Sequence, residues 1–172
     1  MRYLARLVGE GEAEDLTQTV MLKVSRSLPD FRGESSVSTW IYRIATHVAL
    51  DSLRRKRIAT LSESDSAPDE GEVPAGAQAA SVETAAIREE MNACIREFIE
   101  RLPETYRTVM VLSELEGFRD REIAAILGLS LETVKIRLHR ARGKLRKDLG
   151  AGCRFYRNAD NDLACDRSPA GA

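Results

Sequence analysis

The chain is expected to be an all-α protein of two small helical domains joined by a flexible acidic linker. Three observations predict this. Residues 1–57 and 83–149 are dense in helix formers, with apolar residues recurring at helical spacing. Residues 58–82 are rich in Ser, Ala, Gly, Pro and acid, and bury too little apolar surface to offset the entropy of ordering. No stretch alternates apolar and polar residues for long enough to build a sheet. A short mixed tail, 150–172, follows.

At 172 residues, a division into two small domains is natural. The formal net charge of −1 carries no nucleic-acid signal, so the sign of each segment matters more. No apolar run reaches the roughly 18 residues of a membrane span. The first residues lack the apolar centre of a signal peptide, and a cytoplasmic location is expected. Three cysteines do not suggest a secreted disulfide framework.

In the first domain, Leu16, Val20 and Val24 line the apolar side of a helix whose polar strip carries Glu14, Asp15 and Gln18. Residues 28–40, LPDFRGESSVSTW, form a loop with Pro29, Gly33 and three serines. Trp40, Ile41, Ile44, Ala45 and Val48 open another helix, which ends in Arg54, Arg55, Lys56 and Arg57. A polar loop beside Trp40 and Tyr42, with a basic cluster behind it, suits single-stranded nucleic acid: aromatics stack on bases and cations attract the backbone. A structural role fits the same residues, with Trp40 as a core anchor and the arginines as a solvated helix end favoured by the helix dipole.

In the second domain, Ile87, Met91, Ile95, Phe98 and Leu102 repeat at helical spacing until Pro103 interrupts them. A helix from Glu104 to Leu115 ends at Gly117, and the next starts near Asp120. There Ile123, Ala124 and Leu127 form an inward stripe, and the small Ala124 lets a second helix cross closely. Gly128 can take the positive φ of a tight inter-helix turn. Ser130 can cap the following helix. Val134, Leu138, Ala141 and Leu145 make its apolar stripe. Glu132, Thr133, Ile136, His139 and Arg140 then face outward, with Lys135 and Arg137 on the flanks. Arg142, Lys144, Arg146 and Lys147 extend the positive charge.

This is a helix-turn-helix over Asp120–Leu149, suited to place its second helix in a major groove. Arg137 or Arg140 could make bidentate contacts to guanine, and Ile136 could touch a thymine methyl. Arg119 and Arg121 could hold phosphates beside the first helix. A solvated basic face alone would be unremarkable; the Ala124–Gly128–Val134 spacing together with the placed charge favours DNA.

Two motifs in order carry a family resemblance. AEDLTQTVMLKV resembles region 2.2 of bacterial RNA polymerase sigma factors of the extracytoplasmic-function group, in the sigma-70 family. FRGESSVSTWIYRIATHVALDSLRRKR resembles regions 2.3 and 2.4, and residues 102–149 resemble region 4. The resemblance implies a region 2 bundle, a region 4 helix-turn-helix, and a transcription initiation factor for −35/−10 promoters. It implies that Asp15 and Gln18 dock on the polymerase β′ clamp. It implies that Phe31, Arg32, Gly33, Ser35, Ser36 and Trp40 open the −10 element and hold a flipped base. Arg54, Arg55 and Arg57 would lie beside the −10 duplex. Arg119, Arg121, Thr133, Lys135, Ile136, Arg137, His139 and Arg140 would serve the −35 element. The linker would run through the RNA exit path, its acid mimicking nucleic acid. The implied partners are core RNA polymerase, through the β′ clamp and β flap, promoter DNA, and an anti-sigma factor. Against the family pattern, the match begins mid-helix at Met1, which is open to two readings, a misassigned start or a shortened first helix, and His47 stands where asparagine is frequent.

No phosphate-cradling glycine loop, metal-ligand helix motif or nucleophile elbow is present, so no enzyme, small-molecule substrate or cofactor is expected. A stand-alone helix-turn-helix regulator is the alternative, but it would have no use for Asp15, Gln18 and the loop before Trp40. Cys94 reads as a buried, inert thiol. Cys153 and Cys165 flank an aromatic pair in the tail and are open to three readings: incidental residues, a disulfide, or part of a metal site that lets the tail sense metal or redox state.

Overall fold

A computed structural model describes residues 2–62, 94–157 and 163–167. Most of the acidic stretch, and the expected core positions Ile87 and Met91, lie outside the described residues.

Helices α1 (Arg2–Val8) and α2 (Glu10–Ser27) meet at Gly9, whose φ of 88° makes the one-residue corner. Glu10 and Glu12 sit in the first turn of α2, where negative charge complements the helix dipole. A 3-10 turn at Leu28–Asp30 leads into a loop, and α3 (Val37–Ser62) follows. The Ser36 hydroxyl accepts the Thr39 amide proton at 3.0 Å, capping α3. Helix α3 runs on through residues 58–62, beyond the point where composition turns linker-like. Leu4, Leu7, Leu16, Val20, Val48 and Ala49 are buried between these helices.

The second unit starts with α4 (94–100) and α5 (Glu104–Met110). Helix α5 continues into a π-helical stretch, Val111–Leu115. Then come α6 (Asp120–Leu127) and α7 (Leu131–Gly152). Helix α7 packs on α5 and α6, and α6 in turn packs on α3, so the two units share one continuous core.

Beyond α7 the tail forms a hairpin that the sequence pattern did not suggest. Strand β1 (Cys153–Arg157) pairs antiparallel with β2 (Leu163–Arg167). Five-residue strands give too little alternation to stand out, and four of the five β1 side chains are exposed. The helical class is unaffected.

Candidate nucleic-acid interface

The α6–α7 crossing is built by aliphatic side chains. Ile123, Ile126, Val134 and Ala141 are 0% exposed and Leu138 is 2% exposed. Ala124 and Leu127 pack at the edge of this core, and Ile126, which the stripe Ile123–Ala124–Leu127 leaves out, sits at its centre. Gly128 ends α6 with φ 64°, and the amides of Gly128 and Leu129 both donate to the Ala124 carbonyl. The Ser130 hydroxyl accepts the Thr133 amide proton at 3.1 Å and starts α7.

With that stripe buried, α7 turns Lys135, Ile136, His139 and Arg140 to solvent, with Thr133 and Arg137 half-buried beside them. Among the described residues none of these five polar side chains makes an ion pair. The far half of α7 differs. Arg142 donates to Glu114 at 2.7 Å and 3.2 Å, holding that carboxyl below the usual range, and Lys144 lies 3.5 Å from Asp148. Part of the charge expected to extend the basic face is therefore already neutralised within the protein. Arg119, Arg121 and Lys135 share one shallow cleft of about 650 Å³ between the starts of α6 and α7. The Arg119 amide donates to Glu122 at 2.9 Å, which fixes the start of α6 beside that cleft.

In the first unit, Phe31 and Trp40 form a tilted aromatic pair, ring centroids 5.0 Å apart. Trp40 is half-buried at the mouth of the loop, so it does not anchor the core. Gly33 turns the loop with φ 71°, and Arg32 and Ser35 are exposed. Ser36 is occupied in capping α3 and in a 2.8 Å hydrogen bond with the Thr39 hydroxyl. Arg54, Arg55 and Arg57 are exposed on α3; Arg54 lies 3.6 Å from Asp51, and Lys56 pairs with Glu12 on α2. Asp15 and Gln18 are exposed on α2. One turn further, Met21 and Leu22 are 62% and 57% exposed, an apolar continuation of that face. Their spacing from Gln18 was the available signal for them.

Tyr42 has a different place from the one the loop suggested. It points away from Trp40 and into the junction between the units. Its hydroxyl donates to Glu116 at 2.5 Å, and Arg6 reaches the other oxygen of that carboxylate at 2.6 Å. Its ring lies 4.8 Å from Tyr3 and 4.7 Å from Phe118, between centroids. Burial and the Glu116 hydrogen bond push the Tyr42 hydroxyl up to about 12. The π-helical stretch, with the Glu116 amide donating to the Val111 carbonyl, sets Glu116 at this point.

The cysteines also depart from expectation. From its sequence context Cys94 reads only as a buried, inert thiol. It is buried, but its sulfur lies 3.5 Å from that of Cys153, and the sulfurs of Cys94, Cys153 and Cys165 all lie within 4.8 Å of one another.

Comparison with known proteins places this geometry. Residues 1–58 match the family model Sigma-70 region 2, and residues 92–145 match Sigma-70, region 4. The chain is 36% identical over 142 residues to the RNA polymerase sigma-H factor of Pseudomonas aeruginosa, covering 80% of this chain and 73% of that protein. It is 33% identical over 157 residues to the sigma factor SigZ of Bacillus subtilis, covering 88% and 80%. It is 35% identical over 142 residues to the ECF sigma-E factor of Escherichia coli, covering 81% and 74%. Among solved structures, the sigma factor RpoE of Bartonella quintana, in complex with the anti-sigma factor NepR, superposes with a TM-score of 0.67 at 25% identity, covering 87% and 88%. CnrH in complex with the cytosolic domain of CnrY superposes with a TM-score of 0.58, also at 25% identity, covering 87% and 78%. No described helix is long and apolar enough to cross a membrane. The chain belongs to the extracytoplasmic-function group of sigma-70 family RNA polymerase sigma factors, which serve transcription initiation.

Proposed function

We propose that this sigma factor directs core RNA polymerase to −35/−10 promoters, reading the −35 element with α7 and opening the −10 element with the loop before Trp40. The observation that carries this is the first half of α7. Lys135, His139 and Arg140 are exposed there, and they and Arg137 make no ion pair among the described residues, on a helix fixed by a buried aliphatic stripe, a Gly128 turn and a Ser130 cap. Lys135 with Arg119 and Arg121 contact phosphates; Thr133, Ile136, Arg137, His139 and Arg140 meet the bases and their flanks. Phe31 and Trp40 offer stacking surface for an unpaired base, Arg32, Gly33, Ser35 and Ser36 shape the loop that holds it, and Arg54, Arg55 and Arg57 hold the adjoining backbone. Asp15 and Gln18, extended by Met21 and Leu22, dock on the β′ clamp, and the second unit on the β flap.

Elements centred 35 and 10 base pairs upstream are about 85 Å apart on B-DNA. A compact chain of this size has a radius of gyration of about 16 Å. The packed arrangement around Glu116 must therefore open before both elements are engaged. RpoE is in complex with an anti-sigma factor in the neighbouring structure, and that likeness supports an anti-sigma partner for this chain. The tail adds a point of modulation by metal or redox state.

Reconstitution with core polymerase and sequencing of transcript ends tests the reading. Starts should share upstream −35 and −10 sequences. Arg137→Ala with Arg140→Ala should weaken promoter use by about 1–3 kcal/mol per lost bidentate contact. Trp40→Ala should impair a duplex template more than a pre-opened one. Tight, specific duplex binding without polymerase, and no specific initiation with it, would return the chain to the stand-alone regulator.

A further inference from the structure

The chain has three cysteines, and the fold gathers all of them. Cys94 and Cys153 are 59 residues apart, yet their sulfurs lie within 3.5 Å. The β1–β2 register pairs Cys153 with Arg167 and Cys165 with Phe155, which puts Cys153 and Cys165 on one face of the hairpin as diagonal neighbours. Helix α4 reaches that face because Phe98 lies directly on the backbone of Gly152, where a Cβ would come within 2.6 Å of the ring.

A two-stranded hairpin of this size is marginal by itself in water. In β1 only Cys153 is buried; Arg154, Phe155, Tyr156 and Arg157 are exposed. Among the described side chains of the hairpin only Cys153 is buried and Cys165 half-buried, so the inward contacts described there converge on sulfur. Small units with too little core commonly use a bound metal as a staple.

We propose that Cys94, Cys153 and Cys165 form a three-thiolate site for one thiophilic d10 cation, zinc(II) or copper(I), which ties the C-terminal hairpin to α4. Sulfurs tetrahedrally placed about zinc at 2.3 Å are about 3.8 Å apart. The observed sulfurs lie 3.5 Å apart for one pair and within 4.8 Å for all, so small side-chain rotations close the site. Among the described residues no His, Asp or Glu joins the cluster. Three thiolates complete a trigonal copper(I) site and leave zinc one position for water or an added ligand. The three thiol protons pass to solvent as the cation binds. The site deepens the reading of the tail as a point of modulation and is independent of the promoter reading, because binding is measured on the polymerase-free chain.

The test is titration of the reduced, metal-free full-length chain with zinc(II) against a chromophoric chelator, and anaerobically with copper(I) against a copper(I) chelator. One equivalent of either cation should bind, and the tighter arm identifies the resident metal. Cobalt(II) in place of zinc should give a sulfur-to-metal charge-transfer band of three-thiolate intensity. Cys94→Ser should lower that band to two-thiolate intensity and weaken binding by at least the roughly 10–100-fold that loss of an outer-shell partner costs. In the unaltered chain, the cation should slow alkylation of all three cysteines, read residue by residue by mass spectrometry, which covers the case in which the serine variant does not fold. Alkylation of Cys94 at an unchanged rate in the loaded chain would overturn the proposal. So would an absence of stoichiometric binding in both arms, with two thiols lost to a disulfide on exposure to air.

Discussion

At the α6–α7 crossing, Ile123, Ile126, Val134, Leu138 and Ala141 close the core with aliphatic groups alone. At the α1–α3 crossing, the buried Tyr3 hydroxyl meets the Thr46 hydroxyl at 2.6 Å, Thr46 donates to the Tyr42 carbonyl at 2.6 Å, and Tyr42 leads on to Glu116. The first crossing has no hydrogen-bonded side chain among these residues, and its apolar packing continues onto α3. The second is a chain of hydrogen bonds whose last member belongs to the other unit. A helix that must present a fixed face to DNA gains from a core with no alternative hydrogen-bonding arrangement. The junction between the units adds to its apolar packing a few exchangeable polar bonds, each of which water can take over.

The largest effect should come from the aliphatic crossing. Ile126→Ala should cost about 2–5 kcal/mol in urea or thermal unfolding. Thr46→Val, which removes a hydroxyl partner at the other crossing, should cost about 1–3 kcal/mol. Equal losses would mean that the two crossings are not built differently after all.

Glu116→Gln comes next. It removes the ion pair with Arg6 and the charged acceptor of Tyr42, a loss of about 1.5–3 kcal/mol for the closed form. Small-angle scattering should show a larger radius of gyration, with the helix content unchanged. A variant as compact as the parent would show that packing of α3 on α6, and not the carboxylate, holds the units together.

The same junction should respond to alkali. Tyr42 titrates in the closed form at about 12 against 10.0 for an unperturbed tyrosine. Its contribution to closure is fully present below pH 10 and is lost as pH rises through 12. Scattering from the parent should report opening across that window. Tyr42→Phe should remove this component, leaving any expansion that Tyr3 or general alkaline unfolding produces.

The smallest effect belongs to the cap. Ser130→Ala should cost about 1 kcal/mol by loss of the hydrogen bond to the Thr133 amide. Promoter affinity should fall with it, since Thr133 and its neighbours are placed by that first turn.

Local features of the fold were legible in the sequence. Gly128 and Ser130 announce a turn and a cap within three residues of one another, and Val134, Leu138 and Ala141 repeat at helical spacing. Ile126 escaped because an eight-residue helix packed on two sides, against α7 and α3, has no single stripe. Glu116 escaped for another reason: its partner Arg6 is 110 residues away, and nothing in either neighbourhood marks the pairing. Cys94 likewise had only a local reading, as a small apolar side chain on a helix, until the end of α7 brought Cys153 beside it. Periodicity reports which side of an element is buried, and says nothing of what it is buried against.

Helix α7 joins two regions with separate chemistry. Lys135 to Arg140 lie near its start, and Cys153 follows its last residue, about 27 Å from Lys135 along an unbroken helix. Over that length an α-helix behaves as a stiff shaft, so torque applied at one end is delivered at the other. The angular phase between the basic face and the cysteine is set by the number of residues between them. One residue inserted between Arg146 and Gly150 would advance that phase by about 100°. The basic face would then keep its orientation only with Cys153 turned away from Cys94, or the sulfurs would be reunited only with the basic face rotated out of place.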